Sequence, residues 1–264
     1  MKAYKLLSEG KLAEYDSNNA DNSKFWDSQW LREGTEKSLK KSKQGYLGNG
    51  MDFLLDELKT NDSILEGGCG KGQIVMALKS RGFKTVGLDF AESTIKIIQE
   101  VAPELEVVCA DLREMPFQDK SFNVYMSFGV IEHFTNKDDV EKIISEAKRV
   151  TKDRVFVSVP HLSKSILKRY NQKGLDLNIS NKSFYQYYFD DNEFRILLVA
   201  NGLKPYKRVY YSTYIGLKRN HKVFKYLVRF KIFRFFASKF NASLNRIYGE
   251  KYGHMIAYWA KVEN

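Results

Sequence analysis

Four glycines fall within six residues, Gly67-Gly68-Cys69-Gly70-Lys71-Gly72, after an apolar run, Ser63-Ile64-Leu65, and an acid, Glu66. A helix-like run from Gln73 to Ser80 follows. Strand, glycine turn and helix in that order narrow the possible folds sharply. Glycine reaches φ > 0 and lets another group approach the backbone closely. The first N–H groups of the following helix form an electropositive cradle. A nucleotide-like ligand is the expectation, and Asp89, 17 residues past the last glycine, is placed to join it.

Two familiar glycine turns do not fit. A phosphate-binding P-loop needs Gly-Lys followed by Ser or Thr, and here Lys71 is followed by Gly72. A dinucleotide turn needs G-x-G-x-x-G. Counting from Gly68 and Gly70, its third glycine would fall on Gln73. What remains is E-x-G-x-G-x-G, with an acid at the strand tip and no requirement for a diphosphate.

That string resembles motif I of the class I S-adenosylmethionine-dependent methyltransferases, and the likeness extends over about residues 63–160. The resemblance implies that Glu66 holds the methionine end of the cofactor S-adenosylmethionine, with Gly68, Gly70 and Gly72 opening the backbone to it. It implies that Asp89, after Lys84-Thr85-Val86-Gly87-Leu88, accepts from the ribose hydroxyls, with Phe90 near adenine. Asp111, in Cys109-Ala110-Asp111-Leu112, would meet the adenine amino group, and Leu112 and Ser127 complete the expected cofactor set. Gly129-Val130-Ile131-Glu132-His133 is similar to the ubiquinone/menaquinone-biosynthesis subgroup and its small-molecule and glycan relatives. The implied fold is α/β: a seven-stranded, mostly parallel, Rossmann-like sheet with helices on both faces and an antiparallel C-terminal strand.

The pattern along the chain agrees with this from its own side. Apolar β-type runs near 63–66, 84–88, 105–109, 122–127 and 153–159 alternate with helical periodicity near 71–81, 92–102 and 138–151. Such alternation predicts a parallel sheet covered by helices. A helix over 190–201, strands near 205–211 and 254–261, and a helix over 51–59 are also expected. Residues 1–50, with Trp26 and Trp30, read as an N-terminal cap on a methyltransferase domain spanning 51–264. Two insertions, at about 161–189 and 212–250, interrupt that domain. Ligands of open α/β sheets sit at the carboxyl ends of the strands, so both insertions are expected to border the active site. Tyr185, Tyr187 and Tyr188 in the first could line an acceptor pocket or form a small core.

The two cysteines, Cys69 and Cys109, have no metal-ligand spacing, so no metal site is predicted and both read as small packed residues. The N-terminus shows no signal-peptide pattern and no stretch approaches a membrane span, which suggests a cytoplasmic protein. Net charge is +11 and unevenly distributed. Residues 194–249 hold 13 Lys and Arg and no acid, which leaves −2 for the rest. Within 218–240, helical periodicity puts Lys218, Lys222, Lys225 and Arg229 on one face and Val223, Leu227 and Phe230 on the other. Cations beside bulky apolar side chains suit peripheral contact with the inner membrane surface, packing on the sheet, or RNA.

Methyl transfer is a direct displacement that depends on alignment. An oxygen acceptor also needs a proton acceptor. His133 and His161 are the candidate catalytic residues, with His161 expected to face the crevice after Pro160 and His254 a further possibility at the same edge. Glu132 with His133 could instead hold a divalent ion. The reading is methylation of a hydroxyl on a small or lipid-linked acceptor, glycan or quinone-like. RNA methylation through the 194–249 segment and cofactor binding without catalysis are the alternatives.

Overall fold

The computed structural model describes residues 2–7, 11–16, 25, 26, 28, 34–48, 50–173, 179 and 181–263. Trp30 lies outside the described residues. The strands are β1 (Ala3–Leu6), β2 (Leu12–Asp16), β3 (Ser63–Gly67), β4 (Lys84–Asp89), β5 (Glu106–Cys109), β6 (Phe122–Phe128), β7 (Thr151–Pro160), β8 (Ser183–Tyr188), β9 (Leu203–Tyr211) and β10 (Met255–Val262). The helices are α1 (Thr35–Ser42), α2 (Gln73–Ser80), α3 (Glu92–Val101), α4 (Lys137–Val150), α5 (Lys164–Lys173), α6 (Asp191–Ala200), α7 (Thr213–Asn220), α8 (Lys222–Leu227), α9 (Lys231–Lys239) and α10 (Asn241–Tyr252).

Seven strands form one sheet in the order β5-β4-β3-β6-β7-β10-β9. The pairs from β5 to β7 are parallel, and β10 runs antiparallel to both β7 and β9. Strand pleat divides the core in two. Val155, Val157 and Val159 of β7 join Ile256 and Tyr258 on one face, where they meet Val140, Ile143 and Ala147 of α4 and Phe194 and Leu198 of α6. Phe156, Ala257 and Trp259 point to the other face and meet Leu54 with Ala77 and Leu78 of α2. Period-two alternation along a strand produces this partition.

Helix ends follow local chemistry. The Asn136 side chain accepts from the Asp138 N–H at 3.0 Å to cap α4, acids occupy its first turn, and Lys148 and Arg149 its last. Asp190 caps α6 through the N–H groups of Asn192 and Glu193, at 2.9 and 3.2 Å. The 51–59 segment forms a 3-10 turn, Asp52–Glu57, in place of the expected α-helix.

A second sheet joins distant parts of the chain. β1 and β2 form a hairpin, and β8 from the first insertion adds antiparallel to β2. Buried Glu14 anchors the junction by accepting from the Tyr188 hydroxyl at 2.7 Å and pairing with Lys2. The expected helix across Lys218–Arg229 is broken. The backbone at His221 is extended and its Nδ1 accepts from the Phe224 N–H at 3.2 Å, which ends α7 and starts α8 afresh. Lys218 and Lys222 therefore sit on different helices. No helix among the described residues is long and apolar enough to cross a membrane.

The amino-terminal end of the sheet is tied by a buried ion pair. Arg154 Nη2 donates to both Asp62 oxygens at 2.9 and 2.8 Å, and both side chains are at most 5 % exposed. Removing one partner strands a buried charge, which costs about 3–5 kcal/mol. Arg154→Met is expected to lower the urea-unfolding free energy by that amount, and Arg154→Met with Asp62→Leu to recover most of it. Equal stability of the single variant and the native chain would show the pair to be energetically idle.

Candidate active site

The glycine turn sits where β3 emerges between β4 and β6, at the carboxyl ends of the parallel strands. A cleft of about 610 Å³ opens there. Gly68 and Cys69 donate their N–H groups to the Leu88 carbonyl at 2.7 and 3.0 Å, which seals the turn onto β4. Gly68 has φ +74°, and a Cβ there would lie 2.4 Å from Val130 Cγ2. Glu66 Oε2 accepts from the Val75 N–H at 3.1 Å. Asp89 Oδ2 accepts from the Gly70 N–H at 2.8 Å and Oδ1 from the Ala91 N–H at 3.0 Å. One carboxylate thus spans the glycine turn and the start of α3.

Glu66, Gly68, Gly70, Asp89, Phe90, Asp111 and Leu112 all line the cleft. Phe90, beside Asp89, is 41 % exposed. Asp111 is held by Arg113, whose Nη2 donates at 2.6 Å and whose Nη1 reaches Asp139 at 3.1 Å. This partner holds the Asp111 carboxyl below its ordinary range.

The opposite wall comes from the turn after β6 and from the small sheet. His133 packs edge-on against Trp26 and Tyr185, with ring centroids 4.7 and 5.3 Å away. Its Nδ1 lies 2.7 Å from the Tyr185 carbonyl oxygen. A carbonyl only accepts, so Nδ1 carries the hydrogen and Nε2 keeps a lone pair. Glu132 lines the same cleft, and its buried Oε2 has no hydrogen-bond partner among the described residues.

Three expected site residues stand elsewhere. Gly72 precedes α2 with φ +68° and shapes the turn without lining the cleft. Ser127 is buried within β6, while its neighbour Phe128 faces the cleft. His161 is turned away: Pro160 lines the cleft, so the next residue points to the other side, where its ring stacks 4.8 Å from Tyr210. His254, by contrast, reaches the cleft wall. Among the described residues, only the first of the two insertions contributes to the wall, through Tyr185 and Gln186 of β8, while Tyr188 packs in a small core with Leu12, Leu162 and Ile166. Cys109 is exposed, unlike buried Cys69. No group of three or more potential metal ligands occurs among the described residues. Trp26, Lys71 and Arg113 also line the cleft, and sequence reasoning gave none of them a cofactor role.

Burial sets the charges. It pushes both Glu66 and Glu132 up to about 8. It pushes His133, His161 and His254 down to about 4. The raised carboxyls hold protons in the folded chain that the unfolded chain releases above pH 4.5, so their stabilisation fades as pH rises through 8. The histidines lose stability in the other direction, below pH 6.5. From pH 6.5 to 8 the carboxyl effect should dominate. Urea-unfolding free energy should fall across that interval, by at most about 1.4 kcal/mol per pH unit for each proton. Glu132→Gln should flatten the slope, and an unchanged slope would contradict the assignment.

Comparison with known proteins agrees with this geometry. Residues 65–159 match the family model described as a methyltransferase domain. A probable S-adenosylmethionine-dependent methyltransferase of Mycolicibacterium smegmatis is 32 % identical over 87 residues, 33 % of each chain. An Arabidopsis thaliana tRNA (carboxymethyluridine(34)-5-O)-methyltransferase is 30 % identical over 106 residues, 40 % of this chain and 25 % of that one. The aligned stretch thus spans a third or less of these relatives' length. The magnesium protoporphyrin IX methyltransferase of Synechocystis PCC 6803, solved with bound SAH, shares the fold at TM-score 0.54 and 14 % identity, over 89 % of this chain and 86 % of that one. The domain built on residues 65–159 is therefore a class I S-adenosylmethionine-dependent methyltransferase domain.

Proposed function

We propose that this chain transfers the methyl group of S-adenosylmethionine to an oxygen of a small or lipid-linked acceptor. The observation that carries the reading is the single cleft in which the glycine turn and Asp89 face Glu132 and His133. The residues suit a cationic nucleoside ligand. Glu66 and Glu132 are buried carboxyls with no paired cation among the described residues, and a positive ligand would favour their ionised forms. In this assignment Glu66, Gly68 and Gly70 hold the amino-acid end, and Asp89, Phe90, Asp111 and Leu112 the nucleoside end. When bound, the cofactor supplies an electrophilic methyl carbon on a sulfonium.

The chain's own work is alignment, water exclusion and proton removal. Trp26, Phe134 and Tyr185 form an apolar wall on the acceptor side. Glu132 is the proton acceptor: it lines the cleft with a buried Oε2 that has no hydrogen-bond partner among the described residues, and a cationic cofactor beside it would bring its raised carboxyl into the ionised form that accepts a proton. His133 stays neutral and offers Nε2 to orient the acceptor hydroxyl. His161, behind the wall, takes no part.

A lipid-linked acceptor is supported by the second insertion. Val223, Phe230, Ile232, Phe235 and Phe236 expose more than half of their surface, and Ile232 is 75 % exposed. Apolar side chains interleaved with cations suit an anionic membrane surface. RNA methylation is the second reading, favoured by the tRNA methyltransferase among the relatives.

Incubating the protein with methyl-labelled S-adenosylmethionine and cell extract should place label in the lipid fraction. Label in RNA would decide for the second reading. Glu132→Gln should slow transfer by about 10²–10⁴-fold while cofactor still binds. An unaffected rate would remove Glu132 from the chemistry, and cofactor binding with no transfer to any fraction would favour a non-catalytic role. Replacing Ile232, Phe235 and Phe236 with Ser should release the protein from anionic vesicles. Failure of the native chain to bind vesicles would remove the membrane from the reading.

A further inference from the structure

A second cleft, of about 620 Å³, lies between the two insertions. One side is α5, which contributes Lys164, Lys168 and Arg169. The other side carries Arg219 at the end of α7 and Lys222 and Lys225 on α8, and Lys251 of α10 closes it. None of the described lining residues is an acid. Lys164 is offset by Glu250 at 2.8 Å, whereas Lys168, Lys222 and Lys225 have no acidic partner among the described residues. Lys164 and Lys168 stand one helical turn apart, a like-charge spacing that destabilises an isolated helix. Seven cations around one concavity, with Glu250 on Lys164 as the acidic partner named among the described residues, form a place for a multiply charged anion.

The two clefts meet at a shared wall. Arg219 Nη1 lies 3.4 Å from His254 Nε2, so one side chain of the basic cleft touches a wall residue of the methyltransferase cleft. An anionic group seated among the cations would therefore lie against the wall of the methyltransferase cleft. The wall chemistry favours a phosphate ester over a run of RNA. Single-stranded RNA is held by a cationic groove together with rings on which its bases stack. The rings here are Tyr252 and His221, and they already pack on each other with centroids 5.6 Å apart.

We infer that this cleft seats a phosphate or diphosphate group carried by the methyl acceptor. The inference rests on the proposed reading that the neighbouring cleft methylates a small or lipid-linked acceptor. It narrows that acceptor to a phosphorylated one, and the exposed apolar side chains of α8 and α9 lie on the same insertion, where a lipid-borne diphosphate would approach. The substrate must then come from a reaction class that installs a phosphate or diphosphate ester before methylation.

The test is calorimetric titration of the intact chain with inorganic pyrophosphate at low salt, alongside the variant Lys168→Gln/Lys222→Gln/Lys225→Gln and a control, Lys84→Gln/Lys152→Gln/Lys204→Gln, altered outside the cleft. Saturable one-to-one binding is expected. The cleft variant should weaken it by about tenfold or more, roughly 1.4 kcal/mol, and the control should leave it unchanged. No saturable binding, or an equal loss in the control, would overturn the inference. So would single-stranded RNA that binds more tightly than pyrophosphate and is lost with the same three lysines. Phosphatidylcholine vesicles with and without a polyprenyl diphosphate separate the two sources. Recruitment by the lipid diphosphate means a membrane-borne acceptor, and pyrophosphate binding without recruitment means a soluble one. S-adenosylmethionine affinity, measured in parallel, should be the same in all three proteins. If the native chain fails to bind it, the methyltransferase reading fails while the pyrophosphate result stands.

Discussion

Two buried carboxylates at adjacent strand tips hold the architecture of the cleft. Asp89 takes N–H groups from Gly70 and Ala91, and Glu66 takes one from Val75 at the start of α2. The glycine turn is therefore fixed to β4 as well as to its own strand. Free backbone amides in a turn would otherwise relax toward water. Here they are consumed by acids, and burial raises the pKa of one of them, Glu66, to about 8. The same few bonds set the shape of the turn, the position of the two acids and the charge the site will accept.

The sheet separates stability from chemistry along its length. The Arg154–Asp62 pair secures the end where β3 and β7 begin, and the cleft occupies the end where they finish. Between them lie the two apolar layers sorted by strand pleat. At the far end Arg154 and Asp62 satisfy each other's charge. Groups at the near end, such as Glu132, keep unused hydrogen-bonding capacity.

What could be read from the sequence was local. The strand, turn and helix around Glu66–Gly72 are contiguous, and so are the acids that end β4 and follow β5, so each is visible in its own neighbourhood. The misplaced residues depended on information that is not local. His161 was expected at the crevice because it follows the strand, but pleat parity from Pro160 sends it to the opposite side. The basic segment keeps helical periodicity across a break, because His221 stops one helix by capping the next, and a periodic pattern does not register that. The contribution of β8 to the wall needed its pairing with β2, which joins residues 167 to 176 positions apart.

That pairing has a consequence for the order of events during folding. Apart from Trp26, His254, Met255 and the β8 residues, the cleft lining comes from the span between the first parallel strand and the fifth, whose contacts close over modest loops. The β1–β2 hairpin can form early, but its outer edge has no partner until β8 has been made. Contacts of such sequence separation form late, after the loop-closure entropy has been overcome. During synthesis, then, the cofactor side of the cleft takes shape while the acceptor side is still open to water, and the N-terminal hairpin waits for the middle of the chain to roof it.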